Sequence, residues 1–221
     1  MKGLHRKNQL DKAYFNKIDT EEKAYWLGYI YADGNIYIDK RGVHRLLIVS
    51  KDEEILINFN RCLKSNHPYK YYDTAYRTYV VCKQLVQDLM NYGLTPKKAF
   101  TISCPKLRPS LVRHFIRGYF DGDGSIMSSY YTYHKRMYNR FCITSGSKSF
   151  LEEIQKYMIS STQISLNKIV HSKKHYELSY GGDIMIQKIY HYMYDKSHLS
   201  LTRKKVKFQT IFKIRKEKTD E

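Results

Sequence analysis

Two aspartates in this chain close matched apolar segments: Asp33 ends "WLGYIYADG" (26–34) and Asp123 ends "IRGYFDGDG" (116–124). Each segment has a glycine, a small residue four places on, then Asp-Gly: Gly28, Ala32, Asp33, Gly34 and Gly118, Gly122, Asp123, Gly124. Since 118 − 28, 122 − 32 and 123 − 33 all give 90, the pair marks an internal repeat. Small residues four apart share one helix face and let a second backbone come close. If Gly28 and Ala32 pack on Gly118 and Gly122, the two helix ends meet and the two carboxylates stand side by side. Alone, that arrangement is unfavourable, because like charges gather at the negative ends of two helix dipoles. A divalent cation reverses the sign. Two carboxylates together with substrate phosphates suit Mg²⁺ (or Mn²⁺), which prefers oxygen ligands and keeps several waters. In a basic protein this chemistry is metal-assisted phosphodiester hydrolysis, with a nearby lysine offsetting charge on the scissile phosphate. The plain alternative is that each Asp-Gly only ends a helix in a turn.

Regular elements must position these residues. Asp19 or Thr20 caps a first helix, Glu21 and Glu22 suit its first turn, and Gly34 ends it. "GNIYID" and "HRLLIVS" read as strands; a capping box from Ser50 to Glu53 opens a helix. "PYKYYDT" and "AYRTYVVC" form a second strand pair, and "KQLVQDLMNYG" a helix. The order then recurs: a helix capped by Ser110, a longer hairpin of "SIMSSYYTYHK" and "RMYNRFCITS", and a helix with a capping box from Ser149 to Glu152. The strands "LNKIVHSKK" and "HYELSY" and the helix "DIMIQKIYHYMYDK" follow. Even "LTPKK" (94–98) returns as "LTRKK" (201–205). The fold class is therefore α+β, with two pseudo-symmetric αββαββα repeats, 1–104 and 105–221. They join where Pro105 and Pro109 interrupt regular structure.

The 221 residues suffice for a real core, and 42% hydrophobic content excludes a disordered chain. Net charge +18 points to a polyanion, and both halves share it: 19 basic and 11 acidic side chains in 1–110, 20 and 10 in 111–221. Extended nucleic acid suits that even spread better than a membrane surface, although "RKKVKFQTIFKIRKEK" has the makings of a basic amphipathic helix. No apolar run approaches bilayer length and "MKGLHRKNQLDK" lacks a secretory apolar stretch, so an intracellular protein with no membrane partner is expected. Scattered Cys62, Cys82, Cys104 and Cys142 read as reduced thiols. His171 and His175 in "HSKKH" read as part of a basic hairpin rather than metal ligands.

The paired segments resemble the two signature helices of a single-chain LAGLIDADG homing endonuclease, and "SGSKSFLEEI" (145–154) also resembles that family. The likeness runs from about residue 20 to 213. It implies a monomer that cuts double-stranded DNA at a long, imperfectly palindromic site, in a bacterial or phage-infected cell or an organelle. Asp33 and Asp123 would bind the metals. Lys98 and Lys205, placed by the repeated closing phrase, would assist catalysis, with Lys97 and Lys204 open if the alignment slips by one. Tyr31 departs from the family pattern where the second segment keeps Asp121. Antiparallel saddle-shaped sheets would lie over the DNA with alternate side chains reaching base edges. Tyr37 and Asp39 would lie on one such face, and Met127, Ser129, Tyr131, Tyr133 and Lys135 on its counterpart. Arg77, Tyr79, Lys168 and Lys173 are candidates on later strands. The competing readings are a binding-only relative (a transcription regulator or an intron RNA maturase) and, more weakly, an intein domain, since "MKGL" and "EKTDE" show no splice-junction residues.

Overall fold

The computed structural model of the protein describes residues 9–96, 98–133 and 135–219. Helix α1 (Glu21–Asp33) leads into the hairpin of β1 (Gly34–Ile38) and β2 (His44–Ser50), then α2 (Glu53–Cys62). A second hairpin, β3 (Tyr69–Tyr72) and β4 (Ala75–Val81), and α3 (Lys83–Asn91) complete the unit. After a 3₁₀ turn at Lys98–Phe100 the order repeats. It runs α4 (Pro109–Asp123), β5 (Ser125–Tyr131), β6 (Arg136–Ser145), α5 (Lys148–Thr162), β7 (Val170–Ser172), β8 (His175–Gly181) and α6 (Asp183–Tyr194). A last helix, α7 (Thr202–Thr219), is an addition to the αββαββα pattern. The strands form two antiparallel sheets, ordered β1-β2-β4-β3 and β5-β6-β8-β7.

Each sheet buries one face under its own helices. In the first, Ile36, Leu46, Ile48 and Val80 meet Leu56 and Phe59 of α2 and Leu85 and Leu89 of α3. In the second, Phe141, Ile143, Leu178 and Tyr180 meet Phe150 and Ile154 of α5 and Ile189 of α6. Strand alternation turns the intervening residues outward.

Helices α1 and α4 carry the contact that joins the repeats. Residues Ala24 to Tyr31 of α1 are buried all round, as expected of a helix at the centre of a domain. A methyl group on Gly28 would overlap the Phe115 carbonyl oxygen, and one on Gly118 would overlap that of Tyr25. The two positions are 90 residues apart, as are Phe115 and Tyr25, so the close approach obeys the repeat's own symmetry.

Thr20 caps α1, accepting from the Lys23 N–H at 3.2 Å. Three other expected caps move. Ser50 accepts from Asp52 N–H (3.1 Å) instead of capping α2, whose N-cap position is Asp52. Ser147 rather than Ser149 caps α5, because that helix starts at Lys148. Ser110 lies inside α4, which begins at Pro109, a residue whose missing N–H costs nothing in the first turn.

Gly118→Ala should therefore lose about 3 kcal/mol or more of unfolding free energy, since backbone rather than a movable side chain blocks the new methyl. Gly181→Ala, whose methyl would meet nothing closer than Asn139 O at 3.8 Å, should lose less than about 1 kcal/mol in the same denaturant titration.

Candidate active site at the paired helix ends

The glycine contact brings the C-termini of α1 and α4 together. Asp33 and Asp123 are the last residues of these helices, and the N–H groups of Gly34 and Gly124 return to Ile30 O and Phe120 O. Gly122 leaves room for the other helix: a methyl there would collide with Ala32 Cβ and stand 3.5 Å from the Asp33 carboxyl carbon. Burial and then the neighbouring Asp123 push Asp33 up to about 6, while the Tyr29 hydroxyl, Lys204 and Lys98 pull the other way. Burial also raises Asp123, against the pull of Lys98, Lys204 and His175.

One lysine closes each helix end. Lys98 Nζ donates to the carbonyls of Ile30, Tyr31 and Ala32 at 2.8, 2.7 and 2.9 Å. Lys204 Nζ donates to Phe120, Asp121, Gly122 and Gly124 at 2.7, 2.8, 3.2 and 2.5 Å. The carbonyls at 30, 31 and 32 match those at 120, 121 and 122, so Lys98 and Lys204 are symmetry counterparts. Each satisfies orphan carbonyls and places a cation where the helix dipole favours one. Burial lowers both ammonium groups to about 8, with the aspartates acting in the opposite sense.

This corrects the placement of Lys205. "LTPKK" and "LTRKK" align Lys98 with Lys205, but the first phrase enters a 3₁₀ turn and the second enters α7. Residues along an α-helix step by about 100°. The face of α7 that meets α4 therefore carries buried Lys204, and its neighbour Lys205 stays half-exposed. Lys97 lies outside the described residues.

Asp121 has a structural place. Its buried carboxylate accepts from Tyr25 Oη (3.0 Å), Tyr194 Oη (2.6 Å) and Leu201 N–H (2.7 Å), tying α4 to α1, α6 and the start of α7. In the first repeat Tyr31 does comparable work by donating its hydroxyl to Tyr92 O. A second tie between the motif helices was missed in the sequence. Arg117, fully buried in α4, donates to Glu21 of α1 (2.7 Å), His114 and Met193 O. An arginine inside an apolar helical segment was the available signal.

The outer sheet faces assemble part of the expected DNA-reading set. Tyr37, Arg77 and Tyr79 share one face, with Tyr37 opposite Arg45 and Tyr79 opposite Leu47. Exposed Asn35 also lies on it, two residues before Tyr37 on β1. Asp39 stands apart. It accepts from the Val43 N–H, from Arg45 and from the Arg41 N–H, which hold its carboxyl down at about 2, so it builds the β1–β2 turn.

Met127, Ser129 and Tyr131 share the face of β5 that pairs with Arg140, Tyr138 and Arg136. Tyr133 and Lys135 lie at the tip of that hairpin, and Lys173 in the β7–β8 turn. Lys168 does not lie on a strand, because β7 is only Val170–Ser172; it lines a cleft with Lys148 and Lys156 of α5. His171 and His175 fall on the β7–β8 hairpin.

Among the described residues no three His, Cys, Asp or Glu side chains gather as a metal cluster. The carboxylate pair is still the number of protein ligands that suits Mg²⁺ bound jointly with phosphates, and its desolvation leaves it short of positive charge. No described helix is long and apolar enough to cross a membrane, and the four cysteines are free thiols.

A family model described as a LAGLIDADG-like domain matches residues 110–175. Over 121 residues, 51% of this chain, the sequence is 34% identical to a replication factor C small subunit of Methanocaldococcus jannaschii, and the match spans 6% of that relative's length. Among solved structures, the LAGLIDADG meganuclease I-CpaMI bound to uncleaved DNA superposes with TM-score 0.63 at 15% identity, covering 91% of this chain and 93% of that one. The I-LtrWI LAGLIDADG homing endonuclease bound to target DNA gives 0.63 at 14%, covering 94% and 92%. The I-SmaMI homing endonuclease bound to cleaved DNA gives 0.62 at 14%, covering 91% of each. At these identities the likeness to solved structures is one of fold: two LAGLIDADG-type repeats in one chain.

The raised Asp33 carboxyl makes a prediction for metal-free protein. Between 3.8 and about 6 the folded state holds a proton that the unfolded chain has released, so stability falls as pH rises through that window. Asp33→Asn removes the loss. It should stabilise the protein by roughly 3 kcal/mol at about pH 7.5, a gain that fades toward about pH 4 in denaturant titrations with chelator present. No gain at the higher pH would mean the carboxylate is not desolvated.

Proposed function

From a chain with the LAGLIDADG meganuclease fold and two desolvated carboxylates at its centre, we propose a site-specific double-strand DNA endonuclease. It works as a monomer and uses Mg²⁺ or Mn²⁺. The observation that carries this reading is the juxtaposition of Asp33 and Asp123, one from each repeat, each beside a lysine that closes its helix end.

Asp33 and Asp123 would hold the divalent cations, which when bound supply an activated water and neutralise charge on the leaving oxygen. The chain's own groups do the rest. Lys98 and Lys204 offset the negative helix ends and keep positive charge near the scissile phosphates. The glycine contact fixes the separation of the carboxylates, so the site needs no rearrangement to form. Tyr37, Arg77 and Tyr79 on one sheet, and Met127, Ser129 and Tyr131 on the other, face the duplex. The β5–β6 hairpin pairs seven residues of β5 where the β1–β2 hairpin pairs five of β1, so the two half-sites are read unequally and the target is long and imperfectly palindromic. The +18 charge supports binding through many phosphates, so affinity should fall steeply with salt, at about −0.9 in the log-log slope per phosphate neutralised.

Asp33→Asn and Asp123→Asn should each lower Mg²⁺-dependent cleavage by a factor of about 100 or more. Affinity for the same duplex in metal-free buffer should hold or improve, because each substitution removes a negative charge facing phosphate. Lys204→Met should also impair cutting, whereas Lys205→Ala should stay within about twofold of wild type. One chain should bind each duplex. Both aspartate variants cutting at the wild-type rate would sink the nuclease reading.

A further inference from the structure

Leu201 and the first three residues of α7 are each fastened to another element. Leu201 donates its N–H to Asp121 of α4 at 2.7 Å. Thr202 donates both its N–H (2.9 Å) and its hydroxyl (2.7 Å) to the Glu54 carboxylate. Arg203 Nε lies 2.9 Å from both oxygens of Asp52. Lys204 then reaches the carbonyls at the end of α4. The outer two contacts stay within the second repeat; the middle two cross to α2 of the first.

Two features mark this as more than casual surface pairing. The first N–H groups of a helix have no partner of their own, and a carboxylate near them also suits the dipole. Glu54 supplies both to α7 from the opposite repeat. Asp52 occupies the N-cap position of α2, where aspartate ordinarily caps its own helix, yet it makes no cap bond there because its carboxylate is turned to Arg203. The repeats also differ at this place. Counting from Ser50 and Ser145, which precede α2 and α5, Asp52 and Glu54 correspond to Ser147 and Ser149, and Ser147 caps α5 in the ordinary way. The carboxylates therefore stand on the side that has an α7 to hold. Lys98 sits instead in a 3₁₀ turn, and the segment after it meets α5 six residues on, where Cys104 N–H donates to Glu153 at 2.8 Å.

We infer that Asp52 and Glu54 are positioning residues for Lys204: a clasp from the first repeat that seats the lysine of the second. The two halves of the site then differ in what holds their lysines, and loosening the clasp disturbs Lys204 while leaving Lys98 in place. The consequence for strand cleavage rests on the nuclease reading; the seating of the lysine does not.

The test is amine-reactive labelling in metal-free buffer, read at each lysine by mass spectrometry. Lys204, only 5% exposed, should label slowly in the wild-type protein. In the Asp52→Ala, Glu54→Ala double variant its labelling should rise about fivefold, the size expected for losing an ion pair and a capping contact, with Lys98 unchanged. Glu54→Gln alone should keep Lys204 protected, since the amide oxygen still accepts the Thr202 N–H and the hydroxyl can turn to accept from the amide. Should the double variant fail to fold, Arg203→Ala leaves α2 intact and should raise labelling at Lys204 alone. Lys204 protected as in wild type, in either variant that folds, overturns the clasp, and so does an equal fold-rise in labelling at Lys98 and Lys204.

On target DNA with Mg²⁺, the double variant (or Arg203→Ala in its place) should accumulate a nicked duplex whose intact strand is the one that Lys204→Met leaves uncut. Both strands cut at the wild-type ratio would overturn the positioning role. If labelling at Lys204 rises but the wild-type protein itself never cuts, the clasp stands and the nuclease reading falls.

Discussion

The site depends on one contact: the backbone of α1 against the backbone of α4 at Gly28 and Gly118. Nothing larger than hydrogen fits at either position, because the next atom is a carbonyl oxygen of the opposing helix. Side chains between helices usually keep axes about 8–10 Å apart. Without them the two C-termini converge, and whatever occupies the last turn of each helix is forced together. The repeat then guarantees that what meets is a matched pair. Both Asp33 and Asp123 owe their proximity to residues that carry no chemistry themselves.

That convergence creates an electrostatic burden which the surrounding residues share out. Two helix ends present unsatisfied carbonyls, and two carboxylates lie beside them in a partly desolvated place. Lys98 and Lys204 answer the carbonyls with direct hydrogen bonds. Deeper in, Asp121 is met by two tyrosine hydroxyls and a backbone N–H. At the start of α1, Glu21 pairs across the repeats with Arg117 from the middle of α4. Asp33 and Asp123 are left with less compensation than any of these, which is why a divalent cation fits the account. The second repeat invests more in this arrangement than the first, through α7 and its contacts to Asp52 and Glu54.

What the sequence revealed and what it hid follow from the range of each interaction. The motif helices, their glycines and the two hairpin-bearing units were legible, because helix spacing and strand alternation are local patterns repeated 90 residues apart. The α2 cap was not legible: Asp52 turns to Arg203, 151 residues away, and no local rule reports that choice. The choice between Lys204 and Lys205 was not legible, since the near-identical phrases "LTPKK" and "LTRKK" enter a 3₁₀ turn in one repeat and a helix in the other. Asp39 was misplaced for the opposite reason. "DKRG" carries the Asx and glycine chemistry of a tight turn, and strand alternation was counted through it.

On the proposed reading neither repeat has a complete cation site, and the helix contact makes one from both. Mn²⁺ titration of the DNA-free protein, followed by water proton relaxation, addresses it without requiring a known target. The wild-type protein should bind Mn²⁺, and that binding should be lost alike in Asp33→Asn and in Asp123→Asn, with the fold of each variant intact. Wild-type Mn²⁺ affinity in either variant would contradict it.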